Sequence, residues 1–205
     1  MKTAMIETRR RPTIAIDVDG VLRSNLGIMV DIYNKLFGTN MKPSDVKQFK
    51  TEDSFPLFEE KLHMSASHYF FKTMAKDVFL EAQPYPNIKE DIERLKEVAD
   101  VIIITYQKNF TNKFYTLEWL EMNGIEPNGI CFLRNKTLVH CDALIDDNDW
   151  NFLGTHVGTS VLVTQPYNED VNLDELILKT NSKKIVRVDS FHDFTEKYLS
   201  GKITI

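Results

Sequence analysis

Two pairs of acidic residues have types and spacings that suit chemistry on a phosphate. Asp17 and Asp19 lie two residues apart after a short apolar run, and Asp146 and Asp147 follow another such run. Carboxylates around one crevice repel each other, and a hard cation bound among them stabilises their ionised forms. Oxygen ligands that leave positions open for water are typical of Mg²⁺. The two pairs therefore predict a Mg²⁺ site formed by Asp17, Asp19, Asp146 and Asp147.

One carboxylate of such a site can also act as a nucleophile. Asp17 can attack phosphorus and form an aspartyl-phosphate. Asp19 can protonate the leaving oxygen and then activate water. The phosphoryl oxygens need donors, and the Thr105 hydroxyl and the Lys136 ammonium are suitable. Taken singly, each residue also has a plainer interpretation: a solvated turn, a strand end, a surface lysine, and a helix N-cap at 146–149.

Short apolar runs, apolar on both faces, indicate the strands that position these residues. The runs are 13–17, 101–105, 129–133, 143–145 and 160–164. Helical spacing appears between them at 88–98 and 112–122, and a last strand and helix are predicted at 185–188 and 191–199. This alternation predicts a doubly wound parallel α/β sheet, Rossmann-like in type. In such sheets functional residues gather at the carboxyl ends of the strands.

Residues 25–83 interrupt the alternation of strands and helices. They contain helical patterns at 29–37, 55–62 and 68–74 and no strand pattern. Pro84 and Pro86 mark the return of the chain to the sheet. We therefore predict an α/β core formed by residues 1–24 and 84–205, with a small α-helical cap, 25–83, inserted after the first strand.

The composition restricts the class of protein. The 205 residues are 42% hydrophobic and 27% charged, with a net charge of −5, which is typical of one soluble domain carrying an insert. The acidic balance and the lack of a basic stripe argue against a nucleic-acid partner. No apolar run approaches the roughly 20 residues that span a bilayer. Residues 1–11 lack the apolar segment of a signal peptide, so we expect a cytoplasmic protein without a membrane partner.

The motifs resemble those of a known superfamily. The string DVDGVL at residues 17–22 resembles the first motif of the haloacid dehalogenase superfamily. Thr105, Lys136 and the Asp146-Asp147 pair resemble its second, third and fourth motifs, in the same order. The segments 132–137, 144–148 and 165–168 are similar to the 5'(3')-deoxyribonucleotidase family, and the similarity covers residues 12–170.

The resemblance implies a Mg²⁺-dependent phosphatase that hydrolyses (deoxy)nucleoside monophosphates. Asp17 would be the nucleophile and a metal ligand, and Asp19 the general acid and base, with its backbone carbonyl on the metal. Asp147 would bind Mg²⁺ directly and Asp146 would support it. The phosphate-binding residues would be Thr105, Tyr106 and Lys136, with positive charge added by Lys113 and Arg134. Relatives are often dimers, which leaves a homodimer open.

The chain departs from this family at two points. Arg23-Ser24-Asn25 replaces Ala-Asp-Phe after the first motif, and Tyr106-Gln107 replaces Ser-Pro after the second. The family's phenylalanine stacks near the nucleobase, so Asn25 is a candidate for substrate selectivity.

Other functions remain open on the sequence alone. They are a phosphatase for another small phosphorylated metabolite, a catalytically silent binding protein and an end-processing phosphatase on nucleic acid. Retention of both Asp17 and Asp19 argues against the silent protein, and the acidic charge argues against nucleic acid.

Overall fold

A computed structural model describes residues 10–154 and 157–205 of the chain. Most of residues 1–11, on which the signal-peptide expectation rests, lie outside the described residues. Six strands of the described part form one sheet, with neighbouring strands parallel, in the order β3-β2-β1-β4-β5-β6. They are β1 (Thr13–Ile16), β2 (Asp100–Thr105), β3 (Gly129–Phe132), β4 (Ala143–Asp146), β5 (Thr159–Val163) and β6 (Lys184–Val188). The strand order reverses between β1 and β4, which is where such sheets bind ligands.

Nine α-helical segments are found in the same ranges. They are α1 (Asn25–Phe37), α2 (Thr51–Ser54), α3 (Leu57–Leu62), α4 (Ala66–His68), α5 (Ala75–Leu80), α6 (Ile88–Val98), α7 (Phe110–Met122), α8 (Leu173–Ile177) and α9 (Phe191–Leu199). None of them is both long enough and apolar enough to cross a membrane. The predicted parallel α/β sheet with a helical segment after its first strand is confirmed.

The sheet separates two apolar clusters, because successive side chains of a strand point to opposite faces. Ile14 and Ile16 belong to the cluster that contains buried residues of α6, α7 and α9. Ala15 belongs to the other cluster, with Phe152 and with Leu176 of α8. The second face is therefore covered by one short helix, a 3₁₀ turn and loops.

The helical insert, residues 25–83, has an apolar core of its own. Tyr33, Phe55, Phe58 and Phe70 lie at its centre, with ring centroids 5.0–5.7 Å apart. The helix predicted at 29–37 is longer in the structure, since α1 begins at Asn25, whereas the other two are shorter or broken. The helix predicted at 55–62 begins at Leu57, and the one predicted at 68–74 is α4 followed by a π-helical turn, Tyr69–Thr73.

The chain enters and leaves the insert through neighbouring backbone positions. The Ser24 N–H donates to the Gln83 carbonyl (2.9 Å), and the Tyr85 N–H donates to the Leu22 carbonyl (2.9 Å). These two hydrogen bonds join the segments on either side of the insert directly after the DVDGVL string.

Candidate active site

A cavity of about 1010 Å³ lies between the carboxyl ends of the strands and the insert. Eight of the predicted site residues line it: Asp17, Asp19, Asn25, Thr105, Tyr106, Arg134, Lys136 and Asp147. Asp146 lies behind them and is fully buried. Lys113 is not among the lining residues; its ammonium lies over the rings of Phe110 and Phe132, 5.1 and 5.7 Å from their centroids.

Three carboxylates meet at the centre of this cavity. Asp17, Asp146 and Asp147 each offer an oxygen, and these oxygens lie within 4.8 Å of one another. Sheet pairing brings them together, because Ile16 is paired with Ile145 and the Asp17 N–H donates to the Ile145 carbonyl (2.9 Å).

Lys136 contributes the positive charge at the same point. Its buried ammonium lies 3.0 Å from Asp17 Oδ2 and 2.6 Å from Asp146 Oδ2. Burial opposes the charge, but the two carboxylates outweigh it and raise the pKa of Lys136, which is therefore a stable cation.

Asp146 and Asp147 have different surroundings. The carboxylate of Asp146 accepts hydrogen bonds from Lys136, from the Asn148 backbone N–H (3.0 Å) and from the Asn151 amide (2.9 Å). Asp147 faces the cavity, and its carboxylate accepts a hydrogen bond from the Tyr167 hydroxyl. Asp147 thus keeps lone pairs for a ligand, whereas the oxygens of Asp146 are occupied by the protein.

Asp17 also has an oxygen that the protein leaves without a partner. Its Oδ1 is buried and has no hydrogen-bond partner among the described residues. Burial raises the pKa of Asp17 to about 6 against the opposing charge of Lys136. Burial, with the charges of Asp146 and Asp17, also raises the pKa of Asp147. Such surroundings fit a hard cation, which would give the free oxygens a partner and offset the repulsion.

Gly20 permits the close approach of these groups. Its φ is +77°, a left-handed conformation that side chains disfavour. A Cβ at this position would overlap the carboxylate of Asp147 and lie 3.0 Å from the Tyr167 hydroxyl. The glycine of the DVDGVL string is therefore required both by the turn and by the packing of the acidic cluster.

The carboxylate of Asp19 is held on both oxygens. Arg23 Nε donates to Oδ1 (2.9 Å), and the Gln107 amide donates to Oδ2 (2.8 Å). Asp19 lines the cavity together with Asp17, two residues earlier. The carboxylates of Asp17 and Asp19 therefore face the same cavity.

Comparison with known proteins identifies the family. The sequence model described as "5' nucleotidase, deoxy (Pyrimidine), cytosolic type C protein" matches residues 11–183.

The chain belongs to this deoxyribonucleotidase family.

Relatives and solved structures agree with this assignment. A 5'(3')-deoxyribonucleotidase of Clostridium acetobutylicum is 28% identical over 168 residues, covering 79% of this chain and 87% of that protein. A haloacid dehalogenase-like hydrolase from Streptococcus pneumoniae has a TM-score of 0.58 at 19% identity, covering 94% of this chain and 99% of the other. An L-2-haloacid dehalogenase from Xanthobacter autotrophicus has a TM-score of 0.59 at 9% identity, covering 93% and 99%. The haloacid dehalogenase-like fold and the expected phosphoric monoester hydrolase are confirmed.

This deoxyribonucleotidase-family site contains polar residues to which sequence reasoning gave no role. Arg23 and Gln107 hold Asp19, Asn151 holds Asp146, and Tyr167 holds Asp147. The sequence marks Arg23 and Gln107 only as departures from the family pattern. Tyr167 lies in the segment 165–168 that resembles the family, but the sequence does not indicate its contact with Asp147. Asn151, in a 3₁₀ turn (Asp149–Phe152), carries no sequence signal of its own. Arg134, another of the predicted residues, is exposed on the cavity wall.

Proposed function

We propose that this protein is a Mg²⁺-dependent phosphatase that hydrolyses (deoxy)nucleoside monophosphates through an aspartyl-phosphate on Asp17. The observation that carries the proposal is the carboxylate of Asp17, which has one oxygen paired with Lys136 and the other free at the base of a large cavity. Family membership supports the substrate class. The name of the Clostridium acetobutylicum relative supports it as well.

In the first half-reaction, a carboxylate oxygen of Asp17 attacks phosphorus and forms a P–O bond. The bond from phosphorus to the ester oxygen breaks, and Asp19 gives its carboxyl proton to that oxygen. The nucleoside leaves with a free hydroxyl group. Lys136 lies beside the attacking carboxylate, where its charge offsets the negative charge of the phosphoryl group.

In the second half-reaction, water attacks the phosphorus of the aspartyl-phosphate. Asp19, now ionised, accepts a proton from this water. The P–O bond to Asp17 breaks, which releases inorganic phosphate and restores the free carboxylate. The same residue acts as acid and then as base, so the cycle ends in the protonation state from which it began.

The metal would be held by Asp17 and Asp147, with the backbone carbonyl of Asp19. Asp146 supports the site, since its oxygens already accept hydrogen bonds from Lys136 and Asn151. When bound, Mg²⁺ supplies positive charge that offsets the charges of the phosphate and of the carboxylates.

Thr105 and Tyr106 are proposed to bind the phosphate with Lys136. Thr105 is the last residue of β2, and it lines the same cavity as Lys136. Arg134 also lines the cavity and is proposed as a further source of charge. The position of Lys113 over two aromatic rings supports at most a contribution of charge from outside the cavity.

The insert is proposed to act as a cap that selects the substrate. The cavity volume of about 1010 Å³ is at the upper end of the roughly 300–1,000 Å³ typical of small-molecule sites. Its far wall is formed by residues of the insert, including Asn25 and Phe49. A nucleoside attached to a phosphate at Asp17 would extend toward this wall.

The test is phosphate release from a panel of monophosphates in Mg²⁺, with the wild-type protein and with Asp17→Asn. We expect release from nucleoside monophosphates and a loss of at least about 10³-fold in Asp17→Asn, because an amide does not attack phosphorus. Circular dichroism should show an unchanged fold. Undiminished release in Asp17→Asn would contradict the mechanism, and a preference for sugar phosphates would contradict the substrate class.

We also propose that the protein acts in the cytoplasm. Its oligomeric state can be measured directly by light scattering, and a molar mass of twice the monomer would support a homodimer.

A further inference from the structure

The guanidinium of Arg23 is buried beside the proposed active site. Its side chain has no exposed surface and lies between two aromatic rings, 4.7 Å from the centroid of Phe79 and 5.1 Å from that of Trp119. A buried ion pair adds little stability compared with well-packed apolar residues. Stability therefore gives a weak reason for an arginine at this position.

The donors of Arg23 reach three different parts of the protein. Nε and Nη2 lie 2.9 and 2.7 Å from Oδ1 of Asp19. Nη1 donates to the backbone carbonyl of Phe79 (3.1 Å), which belongs to α5, the last helix of the insert. Nη2 also lies 3.3 Å from the hydroxyl oxygen of Thr116 in α7. Arg23 therefore connects Asp19 to the insert and to the core.

The two oxygens of Asp19 differ in what their partners allow. A guanidinium has donors only, so Oδ1 must accept hydrogen bonds throughout. The amide of Gln107 has both a donor and an acceptor, so after rotation it can pair with Oδ2 whether or not Oδ2 carries a proton. Of the two oxygens, Oδ2 is the one that can carry the proton without breaking its contacts.

We propose that Arg23 is a positioning residue that fixes Oδ1 of Asp19 and thereby makes Oδ2 the oxygen that exchanges protons during catalysis. The inference rests on the proposed phosphatase function and extends it to a residue outside the family motif. Because Nη1 is bound to the Phe79 carbonyl, the orientation of Asp19 also depends on the position of α5. Placement of the insert is in this way linked to placement of the acid and base.

The experiment compares two esters that differ in their need for a proton on the leaving oxygen. One is p-nitrophenyl phosphate, whose leaving group departs readily as an anion. The other is the alkyl monophosphate that wild type hydrolyses best. Because kcat/KM reports the steps up to departure of the leaving group, the alkyl ester requires general-acid catalysis and the aryl ester hardly does. The ratio of the two values in one preparation is independent of the fraction of folded protein.

The variants are Arg23→Met, Arg23→Lys, Asp19→Asn and the double variant Asp19→Asn with Arg23→Met. We expect Arg23→Met to lower kcat/KM for the alkyl ester about 10–100-fold more than for the aryl ester, a part of the full effect of an acid or base. Arg23→Lys keeps the charge but lacks the planar pair of donors, so we expect a smaller change of the same kind. In the Asp19→Asn background the Arg23 substitution should change the ester ratio by less than about threefold.

The matched control is Thr116→Val, which removes another contact of the same guanidinium and leaves Asp19 paired. Its ester ratio should equal that of wild type. Equal losses of kcat/KM for both esters in Arg23→Met and Arg23→Lys would overturn the proposal. It would also be overturned if Arg23→Met changed the ester ratio as much in the Asp19→Asn background as in wild type. If Arg23→Met does not fold, Arg23→Lys decides. Failure of the phosphatase proposal is distinguishable, because wild type would then release no phosphate or Asp17→Asn would retain activity.

Discussion

Lys136 is the cation that the protein itself provides to three buried carboxylates. It contacts Asp17 and Asp146, and Asp147 lies in the same cluster. The ammonium therefore offsets the repulsion among these carboxylates. In the proposed mechanism it also stabilises the charge of the phosphoryl group during transfer.

We predict that Lys136→Ala lowers kcat on the order of a hundredfold or more, because it removes this charge from the reacting group. The matched control is Lys108→Ala, which removes an exposed lysine of the same cavity wall and should have kinetics near wild type. Steady-state kinetics of both variants is the measurement. Near wild-type turnover in Lys136→Ala would show that Lys136 has only a structural role.

Asp17 should also make the stability of the metal-free protein depend on pH. Its pKa is raised from 3.8 to about 6, chiefly by burial. Between these values the folded protein holds a proton that the unfolded chain has released, so the contribution of Asp17 to stability falls as pH rises from about 4 to about 6. Above pH 6 this loss is complete.

We predict that Asp17→Asn gains about 1–3 kcal/mol of stability relative to wild type across this window, measured in a chelator by denaturant unfolding at several pH values. The difference between the two curves removes groups that titrate alike in both proteins. It reports the titration of Asp17 together with the change in its neighbour Asp147, whose pKa the charge of Asp17 raises. Parallel curves would contradict a raised pKa.

At the scale of elements, the insert offers fewer aromatic rings to a substrate than its composition implies. Phe55 is buried in the insert core against Tyr33 and Phe70. Phe49 is 55% exposed, lines the cavity and meets the ring of Tyr167 edge-on at 5.5 Å. Of Phe49 and Phe55, Phe49 is therefore the ring that remains available to a base.

We predict that Asn25→Phe changes the ranking among nucleoside monophosphates and scarcely alters hydrolysis of p-nitrophenyl phosphate. Asn25 is the first residue of α1 and lines the cavity. A ring there would add a stacking face, which contributes about 1–3 kcal/mol per base. Asn25→Ala is the control, because it removes the amide without adding a ring. A shift of every substrate by one common factor would exclude a selectivity role for Asn25.

The strands could be predicted to within one or two residues because their side chains are apolar on both faces, as at 101–105. The helices of the insert are harder to predict from the sequence. Its π-helical turn and the helix α5 depend on how Phe70 and Phe79 pack, which no periodicity records.

The acidic cluster could be predicted because parallel strands bring their carboxyl ends together. The hydrogen-bond partners of those acids could not be predicted from the sequence. Gln107 meets Asp19 across 88 residues, and Tyr167 meets Asp147 across 20, so both contacts depend on the tertiary fold.

At the scale of the whole molecule, metal binding should stabilise the native state. A ligand that binds only the folded protein adds about 2.7 kcal/mol at a hundredfold excess over its Kd. We predict that Mg²⁺ raises the Tm of wild type and that Asp147→Asn removes most of this increase. Asp149→Asn is the control, since this neighbouring acid is outside the cluster. A thermal-unfolding titration with an equal response in all three proteins would contradict the proposed ligand.

The hydrogen bonds of Ser24 with Gln83 and of Tyr85 with Leu22 have a consequence for the history of such enzymes. A segment whose two ends meet can be exchanged for a foreign one without interrupting the parent sheet. Recombination could therefore supply new substrate ranges to an old catalytic core. In this protein Arg23 adds a condition, because a transplanted segment must present a backbone carbonyl where Phe79 now does. We expect a chimera without such a carbonyl to leave Asp19 misaligned.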